Sequence, residues 1–152
     1  MIMLEPGQDP IRQAITKEFF RIVTAESDAY ELFVSPVTLE ELRAGSHEKN
    51  RDAVSLLGSL EHTELPDNDE AESLARIYVA SGVLAPKHQN DLRHIAYAVV
   101  ARCDYVVTWN MKHLANHRTF SRVKAVNVAE NYGTILLEPP TFFTKGETSD
   151  DE

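Results

Sequence analysis

The sequence predicts a single α/β domain whose parallel β-sheet is covered by helices on both faces. Segments with helical spacing of apolar residues alternate along the chain with short apolar or β-branched runs. This order is expected when helices make the crossover connections between parallel strands. A chain of 152 residues with 43% hydrophobic content can bury one core of its own, and a second domain of ordinary size would not fit.

The first half of the chain predicts three helices and two short strands. Asp9 followed by Pro10 is typical of a helix N-cap and first helical residue, and apolar residues then recur at helical spacing. Pro36 ends an aromatic and β-branched run, and Gly45 closes the helix that follows it. The predicted elements are a helix over 10–26, a strand over 30–34, helices over 38–44 and 48–60, and a strand over 62–65.

The second half predicts two more helices and two more strands. Asp67 and Glu70 have the spacing of a capping pair, and Gly82 follows the end of the helix that they begin. Pro86 precedes the next helix. The predicted elements are a helix over 67–80, a helix over 88–102, a strand over 105–109, a polar helical turn near 111–117 and a strand over 124–128.

The charge of the chain is acidic, with a formal net charge of −9. Residues 144–152 carry four acids and one base, so they supply −3 of this charge and are predicted to form a disordered tail behind a domain over 1–143. The remaining acidic surface lacks the basic footprint of proteins that hold nucleic acid tightly. It suits a metal-dependent enzyme that contacts its substrate briefly, a protein with a basic partner, or a charge that serves only solubility.

The sequence has no sign of a membrane or export segment. No apolar run approaches the roughly 18 residues of a membrane helix, and residues 1–9 lack the regions of a signal peptide. We therefore expect a cytoplasmic protein with no membrane partner.

Two segments about 50 residues apart place a carboxylate near the start of a helical pattern. They are V-S-P-V-T-L-E-E-L over 34–42 and N-D-L-R-H-I-A over 90–96. A third polar residue, Asn110, ends the strand predicted over 105–109. Because sites in parallel sheets collect beyond the carboxyl ends of the strands, Glu41 and Asn110 are expected to share one edge. Asp91 lies in the first turn of its helix, where the helix dipole favours a carboxylate.

Each of these residues also has a purely structural interpretation. Glu41 could be the reciprocal acid of a capping box that begins at Thr38. Asp91 could be only a favourable charge in a first helical turn. His94 could be a hydrogen-bonded interior histidine, and Asn110 could cap the turn that follows it.

Taken in order, the three motifs resemble the PIN-domain family of nucleases, and within it the VapC-like toxin ribonucleases. The segment over 34–42 is similar to the strand and helix that carry the family's second acid, which matches Glu41, with Glu40 as the alternate register. The segment over 90–96 resembles the family's D-x-x-H-I-A helix and places the third acid at Asp91. T-W-N over 108–110 is a variant of the family's T-x-D, so Asn110 stands where many members have a fourth acid. The similarity covers roughly residues 9–140.

The resemblance implies a PIN-like fold and hydrolysis of RNA to a fragment with a 5′-phosphate. It also implies Mg²⁺ or Mn²⁺ at Glu41 and Asp91, with Asn110 as a neutral oxygen donor, because hard divalent cations take oxygen ligands. Thr108, His94 and His113 would then contact the substrate or support the ligands. The partners implied are an RNA substrate, a small antitoxin protein and a second copy of the chain in a homodimer.

The chain departs from the family at its beginning. The family opens with a strand that carries an Asp, whereas no strand pattern is found before Asp9, and Glu5 and Asp9 are the alternates for this ligand. Three hypotheses follow: a Mg²⁺- or Mn²⁺-dependent endoribonuclease, such as the toxin of a toxin-antitoxin pair; a catalytically degenerate PIN-like binding protein; or a truncated reading frame of an active nuclease.

Overall fold

The fold is known from a computed structural model that describes residues 1–3, 9–26, 28–45 and 47–144. Helices and short strands alternate through most of it. The helices are α1 Pro10–Ala25, α2 Pro36–Ala44, α3 His47–Ser59, α4 Asp69–Ala80, α5 Gln89–Val100, α6 His117–Ala129 and α7 Thr141–Thr144. The strands are β1 Phe33–Val34, β2 Thr63–Glu64, β3 Tyr105–Val107 and β4 Leu136–Glu138, and a 3₁₀ turn over Pro86–His88 precedes α5.

Residues 1–3 lie between two pairs of parallel strands and form hydrogen bonds to both pairs. Strand β1 pairs with β2 and β3 pairs with β4, both in parallel. Between these pairs, Ile2 N donates to Phe33 O at 3.2 Å, and Ile2 forms a parallel bridge with Val107. Met3 N donates to Val107 O at 3.0 Å. The order across the sheet is therefore β2, β1, residues 1–3, β3 and β4.

No strand is assigned before Asp9, but residues 1–3 lie between β1 and β3, where Ile2 forms an isolated bridge. Residues 1–3 are all apolar and buried, and their backbone groups bond to neighbours on both sides. A run of three residues is too short to display the alternation by which strands are recognised in a sequence. Glu5, an alternate for the first ligand, lies outside the described residues.

We expect Ile2→Ala to lower the free energy of unfolding by about 2–5 kcal/mol, the usual cost of such a truncation in a core. Ile2 is only 3% exposed and packs with Phe19, Val34 and Val107. Denaturant unfolding of the variant measures this change. The matched control is Ile11→Ala, since Ile11 is 74% exposed. Equal small effects of the two substitutions would contradict the central position of residues 1–3.

The two faces of the sheet are covered by different helices, as the sequence predicts. Successive strand residues point to opposite faces. Val106 accordingly packs with side chains of α4, α5 and α6, whereas Val107 packs with side chains of α1 and α3 and with Phe143 of α7. The described residues therefore form a mixed α/β structure, in which short parallel strands pack against helices on both sides.

The strand predicted over 124–128 is wrong, because these residues lie inside helix α6. Asn116 caps this helix by accepting a hydrogen bond from Thr119 N at 2.9 Å. Val123 and Asn127 are buried at helical spacing, while Val128 is 67% exposed. The valines that suggested a strand therefore belong to an amphipathic helix with one buried face. Residues 111–116 form turns, as predicted, with Leu114 N donating to Asn110 O.

Two of the predicted helix starts are also displaced. Helix α4 is capped by Asn68, whose side chain accepts from Glu70 N and Ala71 N, and not by Asp67. Helix α2 begins at Pro36 with Ser35 as its cap, so Thr38 is already inside the helix. A capping box from Thr38 to Glu41 is therefore excluded.

Other boundaries differ more modestly from the prediction. Strands β1, β2 and β3 are shorter than predicted, and helix α5 ends at Val100. Strand β4 and helix α7 were not predicted, and Thr144 belongs to α7 and not to the tail. Residues 145–152, which make up the rest of the predicted acidic tail, lie outside the described residues.

Candidate functional site

Helix α2 starts directly beyond the end of strand β1. Val34 ends the strand, and Ser35 and Pro36 are the N-cap and first residue of the helix, a pairing that suits both residue types. The Ser35 hydroxyl accepts a hydrogen bond from Thr38 N at 3.4 Å. This short connection holds Glu41 in the second turn of a helix that leaves the edge of the sheet.

Two neighbouring residues of α5 bind two neighbouring residues of α2. Arg93 forms a two-pronged pair with Glu40, with nitrogen-to-oxygen distances of 2.8 and 3.1 Å. His94 Nε2 lies 2.5 Å from Glu41 Oε1. Glu40 is therefore bound by the guanidinium of Arg93, whereas Glu41 faces the histidine. This difference favours Glu41 over Glu40 as the acid of the candidate site.

Arg93 also binds a residue of helix α4, and so connects α4 to α2 and α5. Its Nε donates to Glu72 at 2.7 Å, and Tyr97 donates to the same carboxylate at 3.0 Å. Hydrogen bonds to Glu40 and Glu72 raise the pKa of Arg93, and the bonds that Arg93 donates lower the pKa of both carboxyl groups. The network therefore fixes the position of α5 between α2 and α4.

His94 is buried between Ser35 and Glu41. Its side chain is 2% exposed, against 48% for that of Glu41. His94 Nδ1 lies 2.8 Å from Ser35 Oγ, and the other ring nitrogen faces Glu41. His94 is thus a hydrogen-bonded interior residue, as its structural interpretation predicts. Its ring also contacts a half-exposed carboxylate.

Asp91 lies one turn before His94 and therefore on the same face of α5. Its side chain is 21% exposed, and Asp91 Oδ2 is 3.8 Å from His88 Nδ1. Desolvation is the largest cause of the raised pKa of Asp91; the Glu41 carboxylate also raises it, whereas His94, His88 and His113 act in the opposite direction. The two predicted acids are therefore near enough to interact.

His88 and His113 form the rim beside Asp91. Their rings stack with centroids 4.3 Å apart and an angle of 34°. Desolvation and the neighbouring His88 lower the pKa of His113. The sequence interpretation included His113 but missed His88, which lies in the 3₁₀ turn before α5.

Asn110 has a clear local role in the loop after β3. Its side-chain oxygen accepts from His113 N at 3.0 Å, and its own N donates to Thr108 Oγ1 at 3.0 Å. These bonds match the interpretation of Asn110 as a turn cap. Thr108 is buried at the end of the strand, where it supports this turn.

Asp9, the second alternate, is the N-cap of α1. Its side chain accepts from Arg12 N at 2.9 Å and is 58% exposed. The capping role that the sequence suggests for Asp9 therefore accounts for its observed contacts.

Glu41 and Asp91 carry carboxylate oxygens, the ligand type that hard divalent cations prefer. Within the described part of the chain, no three His, Cys, Asp or Glu residues are placed to hold a metal ion together. One buried side-chain oxygen there, Thr38 Oγ1, has no hydrogen-bond partner, and it lies one turn before Glu41 on the same helix face. Mg²⁺ is often bound through one or two carboxylates, with water and substrate phosphate completing its shell.

Three residues in hydrogen-bonding contact, Ser35, His94 and Glu41, have the residue types of a hydrolase triad but cannot act as one. Ser35 is 1% exposed, so its hydroxyl is closed to a substrate. The same hydroxyl caps α2. The exposed member is the carboxylate, and the three residues are therefore suited to holding Glu41 and not to nucleophilic attack.

A cavity of about 890 Å³ opens at the opposite edge of the sheet. It is lined by the first residues of the sheet segments, among them Met1, Phe33, Thr63 and Tyr105, so these segments begin at one edge. Neither Glu41 nor Asp91 lines it. Cys103 does, and burial raises the pKa of its thiol, which disfavours the reactive thiolate. Glu41 and Asp91 therefore lie away from this cavity.

No family model, no curated protein and no solved structure matches the chain. Among the helices in the described ranges, none is both long enough and apolar enough to cross a membrane. A function therefore has to be inferred from the contacts of the residues themselves.

Proposed function

We propose that this protein is a Mg²⁺- or Mn²⁺-dependent endoribonuclease of PIN type. The observation that carries the proposal is the contact between Glu41 and the buried His94, one helical turn from Asp91, which joins the surroundings of two acids 50 residues apart in the chain. The order of the sheet, with residues 1–3 at its centre, supports a PIN-like fold. Titratable groups with perturbed pKa values tend to cluster at functional sites.

Each residue of the candidate site has a separate role in the proposed hydrolysis. Glu41 and Asp91 would hold the cation, and His94 would hold Glu41 in place. When bound, the cation supplies charge neutralisation at the scissile phosphate and activates water. Water adds to phosphorus as the bond to the 3′ oxygen breaks, which leaves a 5′-phosphate and a 3′-hydroxyl. His88 and His113 line the approach to Asp91, where they can contact the phosphates of the RNA.

A catalytically degenerate PIN-like binding protein is the second candidate. Two observations favour it: Asn110 is engaged in its own turn, and the described residues offer fewer than three metal ligands in one place. In that case Glu41 and Asp91 would support the fold or a partner's binding. Metal-stimulated RNA cleavage by the pure chain would exclude this candidate.

The proposed partners are RNA as substrate, a small basic antitoxin protein and a second copy of the chain, with the cytoplasm as the proposed location. The acidic net charge of −9 favours a basic protein partner.

The adjacent acids of α2 provide a matched test of the proposal. We expect Glu41→Gln to reduce Mn²⁺-dependent cleavage of single-stranded RNA by at least about 100-fold, since even supporting residues of metal sites are typically worth 10- to 100-fold. Glu40→Gln is the control, because Glu40 is bound to Arg93. Its cleavage rate should remain close to that of the unaltered protein. Equal losses in the two variants would contradict the assignment of Glu41.

A further inference from the structure

We infer that His94 is a positioning residue that holds one oxygen of Glu41 through Nε2–H, with Ser35 selecting the ring nitrogen that carries the hydrogen. This inference rests on the proposed function, because it concerns how the metal-binding carboxylate is held. It assigns roles to Ser35 and His94 that a histidine merely filling the core would not have.

Both ring nitrogens of His94 have one partner each. Nδ1 lies 2.8 Å from Ser35 Oγ, and Nε2 lies 2.5 Å from Glu41 Oε1. His94 and Ser35 are each 1% exposed, so water does not compete for these bonds. The ring therefore has a single orientation with respect to both neighbours.

The direction of the two hydrogen bonds follows from what each neighbour can donate. An ionised carboxylate only accepts, so the nitrogen that faces Glu41 must carry a hydrogen. The Ser35 hydroxyl already accepts from Thr38 N at 3.4 Å, and its own hydrogen is free to point at Nδ1. A ring that carries its hydrogen on Nε2 and none on Nδ1 satisfies all of these groups. Such an outer contact is what sets the tautomer in other histidine-carboxylate pairs.

Holding Glu41 in this way also connects it to the helix that carries the second carboxylate, Asp91. Asp91 and His94 are one turn apart on α5, so the histidine links Glu41 of α2 to the helix face that carries Asp91. Glu41 Oε1 is bound to the ring, which leaves Oε2 as the oxygen available to a cation. Without the link, the half-exposed Glu41 side chain could adopt other rotamers, at an entropic cost to metal binding.

Two substitutions separate the two hydrogen bonds. The amide nitrogen of Gln reaches about as far as Nε2, whereas the amide of Asn reaches only as far as Nδ1. We expect His94→Gln to keep its Mn²⁺ affinity near that of the unaltered chain. We expect His94→Asn to bind Mn²⁺ on the order of 10- to 100-fold more weakly, the range typical for loss of an outer-shell partner. Calorimetric titration measures the affinities, and thermal unfolding checks that each variant folds.

The hydrogen itself can be observed in the metal-free protein. Long-range proton-nitrogen NMR spectra should show His94 with Nε2 protonated and Nδ1 unprotonated, and Ser35→Ala should weaken this preference. The opposite tautomer, or equal Mn²⁺ affinities for His94→Asn and His94→Gln, would overturn the inference and leave the proposed function standing. If the unaltered chain bound no Mn²⁺, the proposed function would fail, and the NMR spectra would still decide how the ring is bonded.

Discussion

Asp91→Asn is expected to reduce Mn²⁺-dependent RNA cleavage by at least about 100-fold, since it removes a charged ligand and not merely a supporting residue. Asn keeps the size of the side chain but cannot neutralise a divalent cation. Single-turnover cleavage of a labelled single-stranded RNA measures the loss. Cleavage by the variant at the unaltered rate would contradict the assignment of Asp91.

The same variant is expected to be more stable than the unaltered chain at neutral pH without metal. Burial raises the pKa of Asp91 in the folded protein. The stability linked to such a group is complete below the unfolded pKa of about 3.9 and is lost as the pH rises through the folded value. Asn removes the cost of burying the charge of Asp91. The midpoint of thermal unfolding of the variant should therefore be higher than that of the unaltered chain at pH 7, and the two midpoints should become equal at low pH.

Asp104→Asn provides the control for both effects. Asp104 is exposed at the other edge of the sheet, where it lines the large cavity. Its substitution should leave the rate of RNA cleavage unchanged and should not reproduce the gain in stability. A loss of activity in both variants would indicate a general effect of acidic charge.

The second large effect is expected on stability. Arg93→Met should lower the free energy of unfolding at neutral pH by about 2 kcal/mol, a value between those of exposed and buried ion pairs. The substitution leaves Glu40 and Glu72 without their shared cation, although Met can fill much of the same space. Chemical denaturation measures the change, and Arg76→Met, which alters an exposed arginine, should have little effect.

This loss should depend on pH in a defined direction. Hydrogen bonds from Arg93 lower the pKa of Glu40 and of Glu72. Their contribution is therefore present above the unfolded pKa of about 4.3 and is lost as the pH falls through the folded values. The gap in stability between the two proteins should narrow below this pH. A gap that stayed constant down to pH 3 would show that the charges of the two acids contribute little.

The sequence predicts the layered architecture well because the helices carry clear apolar spacing and clear end signals. It fails at α6, where Val126 and Val128 imitate a strand, and only the capping bond from Asn116 identifies the start of a helix. Residues 1–3 are missed for another reason. Their place in the sheet depends on partners as distant as Phe33 and Val107, and a local pattern cannot report such contacts.

The candidate site could be predicted in its acids but not in its supporting contacts. The resemblance to PIN-domain nucleases is what points to Glu41 and Asp91, whereas the contact between Ser35 and His94 joins residues 59 positions apart. One signal was available, because Ser35 followed by Pro36 has the same N-cap form as Asp9 followed by Pro10. This form predicts that α2 starts at Pro36, which leaves no capping box from Thr38 to Glu41.

The measurement that tests the central claim most directly is cleavage of a labelled single-stranded RNA by the pure protein in Mn²⁺ and in a chelator. We predict cleavage in Mn²⁺ only, with products that carry a 5′-phosphate and a 3′-hydroxyl, and no cleavage by Asp91→Asn purified in parallel. Equal cleavage in both conditions, products with a 2′,3′-cyclic phosphate, or no cleavage in Mn²⁺ would contradict the proposal that Glu41 and Asp91 form a metal-dependent nuclease site.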